Sequence, residues 1–249
     1  MILLFDIGNT HTHLGLANTE RVLRQKNIPT AALLKGAANE LIAGFVGNAA
    51  VEGAALCSVV PRATPLAKKL ARRLFRVAAL ELNAKTVAGV EIDYPRPGTI
   101  GPDRLANAIS VKHHYGAPSV VVDFGTAVTF DVVNRQGKYA GGIIAPGLAM
   151  MTSYLHEKTA LLPEIKIRDV RAIIGKSTEQ AMLIGAVHGY RGLVRELVAE
   201  LKRELQCPQL PVVATGGYAA LLASKLSEIT AVEPALTLEG LRLFCQAKS

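Results

Sequence analysis

Cysteine is scarce. Cys57, Cys207 and Cys245 are the three in 249 residues, and their spacing fits neither a disulfide framework nor a metal knot. They are expected to be reduced, structural thiols of a cytoplasmic protein. No pair of histidines has convincing zinc spacing. No apolar run reaches the roughly 18 residues that a membrane-spanning helix needs. No charged start precedes an apolar stretch, because a strand pattern begins at Met1 itself, so neither a membrane span nor a leader is expected. Low-complexity tracts are missing. Charged residues make up only 19% and half the chain is apolar, which excludes a disordered chain and provides for a packed core. Acidic residues are the minority charge, 20 against 28 Lys and Arg, for a net charge of +8. That excess suits nucleic acid or small anionic substrates. The basic residues do not cluster, and the densest group, Lys68, Lys69, Arg72 and Arg73, falls on one helical pattern. No nucleic-acid partner is therefore expected.

What is present is a repeated turn. Residues 2–14 read ILLFDIGNTHTHL and residues 119–131 read SVVVDFGTAVTFD. Superposed, Asp6 falls on Asp123, Gly8 on Gly125 and Thr12 on Thr129, each 117 positions apart. An apolar run of this length suits a buried strand. The Gly turns the chain sharply and lets a bulky anion approach main-chain N–H groups. Asn9, Thr10, Thr12, Thr126 and Thr129 supply short donors. Asp6 and Asp123 end their strands, where a carboxylate holds a cation, or water bound to one, beside phosphates. One such turn is ordinary hairpin chemistry; two in register half a chain apart imply duplicated architecture. A third glycine site, Thr215-Gly216-Gly217 between an apolar run and a helical pattern, suits packing against a purine or binding its phosphates.

The periodicities predict strands near 2–5, 12–16, 22–27, 54–60 and 77–80 in the first half, with helices over 30–47, 65–75 and 103–115. Residues 93–101, DYPRPGTIG, read as an irregular loop. In the second half strands are predicted at 119–123, 128–133, 138–144 and 212–215, and helices over 146–158, 178–203 and 217–224. This order predicts an α/β fold of two mixed-sheet halves, 1–117 and 118–249, with helices on the sheets and a ligand cleft between the halves.

The three glycine sites, in this order, resemble those of the actin-like ATPase and sugar-kinase superfamily, whose halves are ribonuclease H-like. Further fragments narrow the resemblance to the type III pantothenate kinases. These are Tyr94-Pro-Arg-Pro-Gly-Thr-Ile-Gly101-Pro-Asp103-Arg104, the stretch Asp123–Asp131, Gly141-Gly-Ile-Ile-Ala-Pro-Gly147, Thr159-Ala-Leu-Leu-Pro163 and Gly175-Lys-Ser-Thr178. Ile100 stands where Leu is commoner, and His11 and His13 decorate the first turn. The resemblance implies phosphorylation of pantothenate by ATP with Mg²⁺, the first step of coenzyme A synthesis. It also implies a monovalent cation (K⁺ or NH₄⁺) and a homodimer. It makes Asp103 the catalytic carboxylate and Tyr94, Gly101, Pro102, Asp103, Arg104 and Thr178 the pantothenate contacts. ATP falls to Asp6, Ile7, Gly8, Asn9, Thr10, His11, Thr12, His13, Thr126, Gly216 and Gly217. Asp123 would hold the monovalent cation and Asp6 would reach Mg²⁺ through water. By spacing alone, Asp103 is equally a helix N-cap. His156 is open between a substrate contact across a dimer interface and a surface residue. Rival readings are a kinase for another small hydroxy acid and a non-catalytic accessory regulator of transcription.

Overall fold

The central strand of the first half is apolar on both faces. Leu3, Leu4, Phe5 and Ile7 are all fully buried, as expected of a strand covered by helices on each side. The computed structural model describes residues 1–248. In chain order its elements are β1 (Ile2–Ile7), β2 (His11–Ala17), β3 (Val22–Pro29), α1 (Thr30–Leu34), α2 (Ala38–Val46), β4 (Gly53–Ser58), α3 (Thr64–Phe75), β5 (Ala79–Glu81), β6 (Glu91–Ile92) and α4 (Pro102–Tyr115). There follow β7 (Ser119–Phe124), β8 (Ala127–Val133), β9 (Lys138–Pro146), α5 (Leu148–Lys158), α6 (Thr178–Glu204), β10 (Val212–Thr215), α7 (Ala219–Ala223), β11 (Ala231–Val232) and α8 (Leu236–Lys248).

The first sheet has the order β3-β2-β1-β4-β5. In the second, β9-β8-β7-β10-β11 repeats that order strand for strand, and β6 pairs in parallel with the start of β9. In both sheets the central strand has an antiparallel hairpin partner on one side and a parallel strand on the other. The repeat seen in two turns is thus a repeat of whole sheets.

The chain forms two compact units. The first comprises Met1–Ala117, Gln136–Gly141 and the chain from Ala235 onward; the second comprises Pro118–Arg135 and Gly142–Pro234. Residue 117 marks the first crossing, and the chain then re-enters the first unit twice. In that unit Leu3, Phe5 and Ile7 face a core with Ile42, Ala67 and Leu70 from α2 and α3. The opposite face is covered by α8, which packs on β1, β4 and α4. In the second unit Val120, Val122 and Phe124 of β7 pack with Tyr190, Val194 and Val198 of α6.

The helical pattern over 30–47 is broken at 35–37, where Gly36 takes φ +76° and two helices result. The irregular loop contains a 3₁₀ turn at Pro97–Thr99. Among the described residues no helix is long and apolar enough to cross a membrane.

Candidate active site

The first turn is a four-residue loop. β1 and β2 pair with Asp6 opposite His13 and Ile7 opposite Thr12, and the Gly8 N–H donates to the His11 carbonyl at 3.0 Å. Asn9, Thr10 and His11 are exposed at its tip. Thr12 is fully buried, and its hydroxyl meets that of Thr30 at 3.0 Å. Thr30 in turn donates to the Gly8 carbonyl at 2.6 Å, so this buried pair fixes the turn from inside. Ile7 belongs to the core and offers only backbone. His13 is tied to Asn27, its Nδ1 2.7 Å from Oδ1.

The second turn is one residue shorter. β7 and β8 pair with Asp123 opposite Thr129 and Phe124 opposite Val128, leaving Gly125–Ala127. The 117-residue offset therefore holds on the outgoing strands and slips by one on the return. The counterpart of Thr129 is His13, and that of Thr12 is the fully buried Val128. Thr126 is exposed. β10 lies parallel to β7 and brings Thr215 opposite Asp123. Gly216 follows at φ +91°, and a Cβ there would lie 2.5 Å from Asp123 Oδ1 and 2.6 Å from the Phe124 carbonyl carbon. Only Gly lets this loop close on the carboxylate. Gly217 faces open space. Gly147, just ahead of α5, lies against the Thr126 carbonyl. The α5 N-terminus, with its partial positive charge, therefore backs this turn.

The loop before α4 has its own geometry. Pro102 occupies the first helical turn, where its missing N–H costs nothing. Asp103 folds back so that Oδ1 accepts the Arg104 N–H at 2.9 Å, and a Cβ on Gly101 would lie 2.5 Å from that same oxygen. Tyr94 packs against Tyr139 with ring centroids 6.3 Å apart, and the Arg104 guanidinium lies 5.8 Å from the Tyr139 ring. Tyr139 is buried and forms the floor of this cluster. In the second unit, Thr178 is the exposed first residue of α6. Ser177 caps that helix, accepting the Gln180 N–H at 3.2 Å, while Gln180 Oε1 accepts the Lys176 N–H at 2.7 Å.

Two carboxylates of the first unit are shifted upward. Burial pushes the Asp6 carboxyl up to about 6. The His13 ring opposes this, nearby Asp103 adds to it, and the Cys57 thiol, donating to Oδ1 at 3.4 Å, opposes it. Burial also raises Asp103, against the backbone N–H and the guanidinium of Arg104. Cys57 is driven well above its usual range by burial and by both carboxylates, so it stays a thiol and a donor.

The first unit thus brings together Asp6, the first turn, Tyr94, Gly101, Pro102, Asp103 and Arg104. The second brings together Asp123, Thr126, Gly216 and Gly217; Thr178 begins α6 of the same unit. His156 bonds the Leu162 carbonyl at 2.8 Å and His188 the Val170 carbonyl at 3.0 Å. Cys57 and Tyr139 carry no signal as site residues in the sequence, whereas Gly147 closes one of the family-like fragments. Only the pairing of Asp6 with Cys57 across β1 and β4 marks out the thiol, and no spacing encodes it.

Two sheets of identical strand order, each with an Asp ending its central strand before a Gly turn, form the duplicated fold of the actin-like ATPases and sugar kinases. Solved structures share it. One is described as a Baf family transcriptional activator from Campylobacter jejuni, with a TM-score of 0.59 at 17% identity, covering 99% of this chain and 98% of that one. Another is described as an N-acetylmannosamine kinase from Listeria monocytogenes, with a TM-score of 0.50 at 11% identity, covering 100% and 99%. The particular family is closer at hand. The family model for type III pantothenate kinase matches residues 2–200. A type III pantothenate kinase of Akkermansia muciniphila is 47% identical over 242 residues, 97% of this chain and 96% of that one. One of Methylacidiphilum infernorum is 44% identical over 244 residues, 97% and 87%. The chain belongs to the type III pantothenate kinase family.

Proposed function

We infer that the protein transfers the γ-phosphoryl group of ATP to the terminal hydroxyl of pantothenate, the first step of coenzyme A synthesis. Family membership supports the reaction class, and one observation carries the mechanism. Asp103 is a partly buried carboxylate with a raised pKa, folded against Gly101 at the start of α4.

A primary alcohol is too weak an acid for a carboxylate to ionise in advance. In a loose transition state its proton leaves late, so Asp103 chiefly aims the oxygen at phosphorus and accepts the proton as the bond forms. A carboxyl raised by burial is the better acceptor. Arg104, steadied on the Tyr139 ring, supplies a planar fork for the pantothenate carboxylate. Tyr94, Gly101 and Pro102 shape the same subsite in the first unit; Thr178, in the second unit, is the further residue that the family resemblance assigns to pantothenate. The tip of the first turn offers Gly8, Asn9, Thr10 and His11 to phosphate oxygens. Thr126, Gly216 and Gly217 do the same in the second unit.

Hard carboxylate oxygen at Asp6 fits Mg²⁺, which keeps most of its waters and takes phosphate oxygens. When bound, the ion would offset charge developing on the phosphates. Asp123, opposite Thr129 and under Gly216, is the group assigned to K⁺ or NH₄⁺. A homodimer fits the apolar side chains left bare on and beside α5, among them Tyr154 at 60% and Leu161 at 90% exposure. The cytoplasm fits the three free cysteines.

The test is ADP release with ATP, Mg²⁺ and pantothenate, in K⁺ and then in Na⁺. Turnover that needs both pantothenate and K⁺ supports the reading. ADP release indifferent to pantothenate would assign another hydroxyl acceptor, and none in either salt would overturn the kinase assignment.

A further inference from the structure

The second unit holds a cavity of about 360 Å³ that uses none of the residues discussed for catalysis. Its ionisable lining is Asp169, Arg171, His188, Arg191, Arg195 and Lys225. His188, Arg191 and Arg195 follow one another along one face of α6. Asp169 and Arg171 come from the extended segment between α5 and α6, and Lys225 lies just past α7.

Most of these groups are already engaged. Arg191 is buried and donates to Asp169 at 3.0 Å, and it also caps α7 through the Leu221 carbonyl at 2.8 Å and the Leu222 carbonyl at 3.4 Å. The Arg191 hydrogen bond holds the Asp169 carboxyl below its usual range, so the one acid of the lining stays ionised and neutralised. His188 is held on the Val170 carbonyl and Arg195 on Glu228 at 3.2 Å. The Arg171 and Lys225 side chains make no hydrogen bond or ion pair among the described residues. Two cations without a hydrogen-bond partner, Lys225 adding its charge to that of Arg191 around Asp169, therefore line a concave surface whose frame is locked by other bonds. Like charges held together in a hollow raise its positive potential and draw an anion to it.

We propose that this cavity is an anion site for a small phosphate-bearing molecule, bound by Arg171 and Lys225 over the fixed guanidinium of Arg191. A guanidinium fork beside an ammonium matches phosphate oxygens in geometry and charge. The volume suits a phosphate ester or pyrophosphate. The site begins where α7 ends, and the Gly216-Gly217 loop precedes that same helix.

The experiment is calorimetric titration of inorganic pyrophosphate into the full chain, with a non-hydrolysable ATP analogue saturating the nucleotide site. One pyrophosphate per chain is expected to bind. Arg171→Ala or Lys225→Ala should each weaken it roughly tenfold, as the loss of one charge-assisted contact does. ADP release without pyrophosphate should stay at the wild-type rate in both variants, which keep Arg191 and the fold. A control, Lys69→Ala on α3, should leave binding unchanged. Absent binding, binding equal in wild type and in a variant carrying both Arg171→Ala and Lys225→Ala, or equal weakening by the control would each overturn the proposal. The charge reversals Arg171→Glu and Lys225→Glu should weaken binding further, and they stand in for an alanine variant that folds poorly.

Discussion

Asp6 and Asp103 are two carboxylates of one unit whose proton affinities are both raised, yet the roles proposed for them require both to be ionised during turnover. The structure holds them in a costly arrangement. For Asp6 the folded state binds the proton more tightly than the unfolded chain, about 6 against 3.8. Its contribution to stability is therefore complete below about pH 4 and lost as pH rises through 6. Asp6→Asn is expected to stabilise the nucleotide-free protein above pH 7 by about 2–3 kcal/mol, since a pKa unit is worth about 1.4 kcal/mol. The gain should vanish below pH 4. Urea midpoints at pH 4 and pH 7.5 check this, and an equal effect at both would refute it. Asp103→Asn should keep the fold and lower kcat by about 10²–10⁴-fold. Wild-type turnover should fall as pH drops toward the raised Asp103 pKa. Near-normal turnover in the variant would remove Asp103 from catalysis. At this scale the sequence exposed the polar residue types but not their directions. Thr12 and Thr129 look equivalent in a string, and only the loop lengths, four residues against three, turn one inward and leave the other beside Asp123.

Among elements, α8 contributes most beyond what the sequence announced. Its Gly240 lies against the Ala106 backbone of α4, so the two helices touch almost main chain to main chain. Gly240→Ala would force them apart and is expected to cost about 1–3 kcal/mol by overpacking. A chemical denaturation curve is sufficient to measure it, and an unchanged midpoint would mean that the helices slide freely. The strands around both turns were legible because apolar runs stop at Asp-x-Gly. α8 had no such punctuation, and β6 and β11, two residues each, are too short to carry any period. They exist because a neighbouring edge accepts them: β6 pairs with Lys138 and Tyr139, and Lys138 reaches Glu91 at 3.0 Å.

Across the whole molecule, the duplicated strand order was implied by two short repeats, whereas the composition of the units was not. Nothing in residues 136–141 or 235–248 advertises that they belong with the N-terminal sheet. The bare apolar side chains around α5 lead to one further expectation. Sedimentation should give a dimer, and Tyr154→Glu should shift it to monomer by placing a charge on the face assigned to the partner. A dimer undisturbed by that change would place the interface elsewhere. The re-entry of the chain also sets an order of events during synthesis. The first unit is the first to leave the ribosome and the last to be completed, because the helix that closes its sheet is encoded after everything in the second unit. Until α8 docks, the faces of β1, β4 and α4 that it packs against lack that cover.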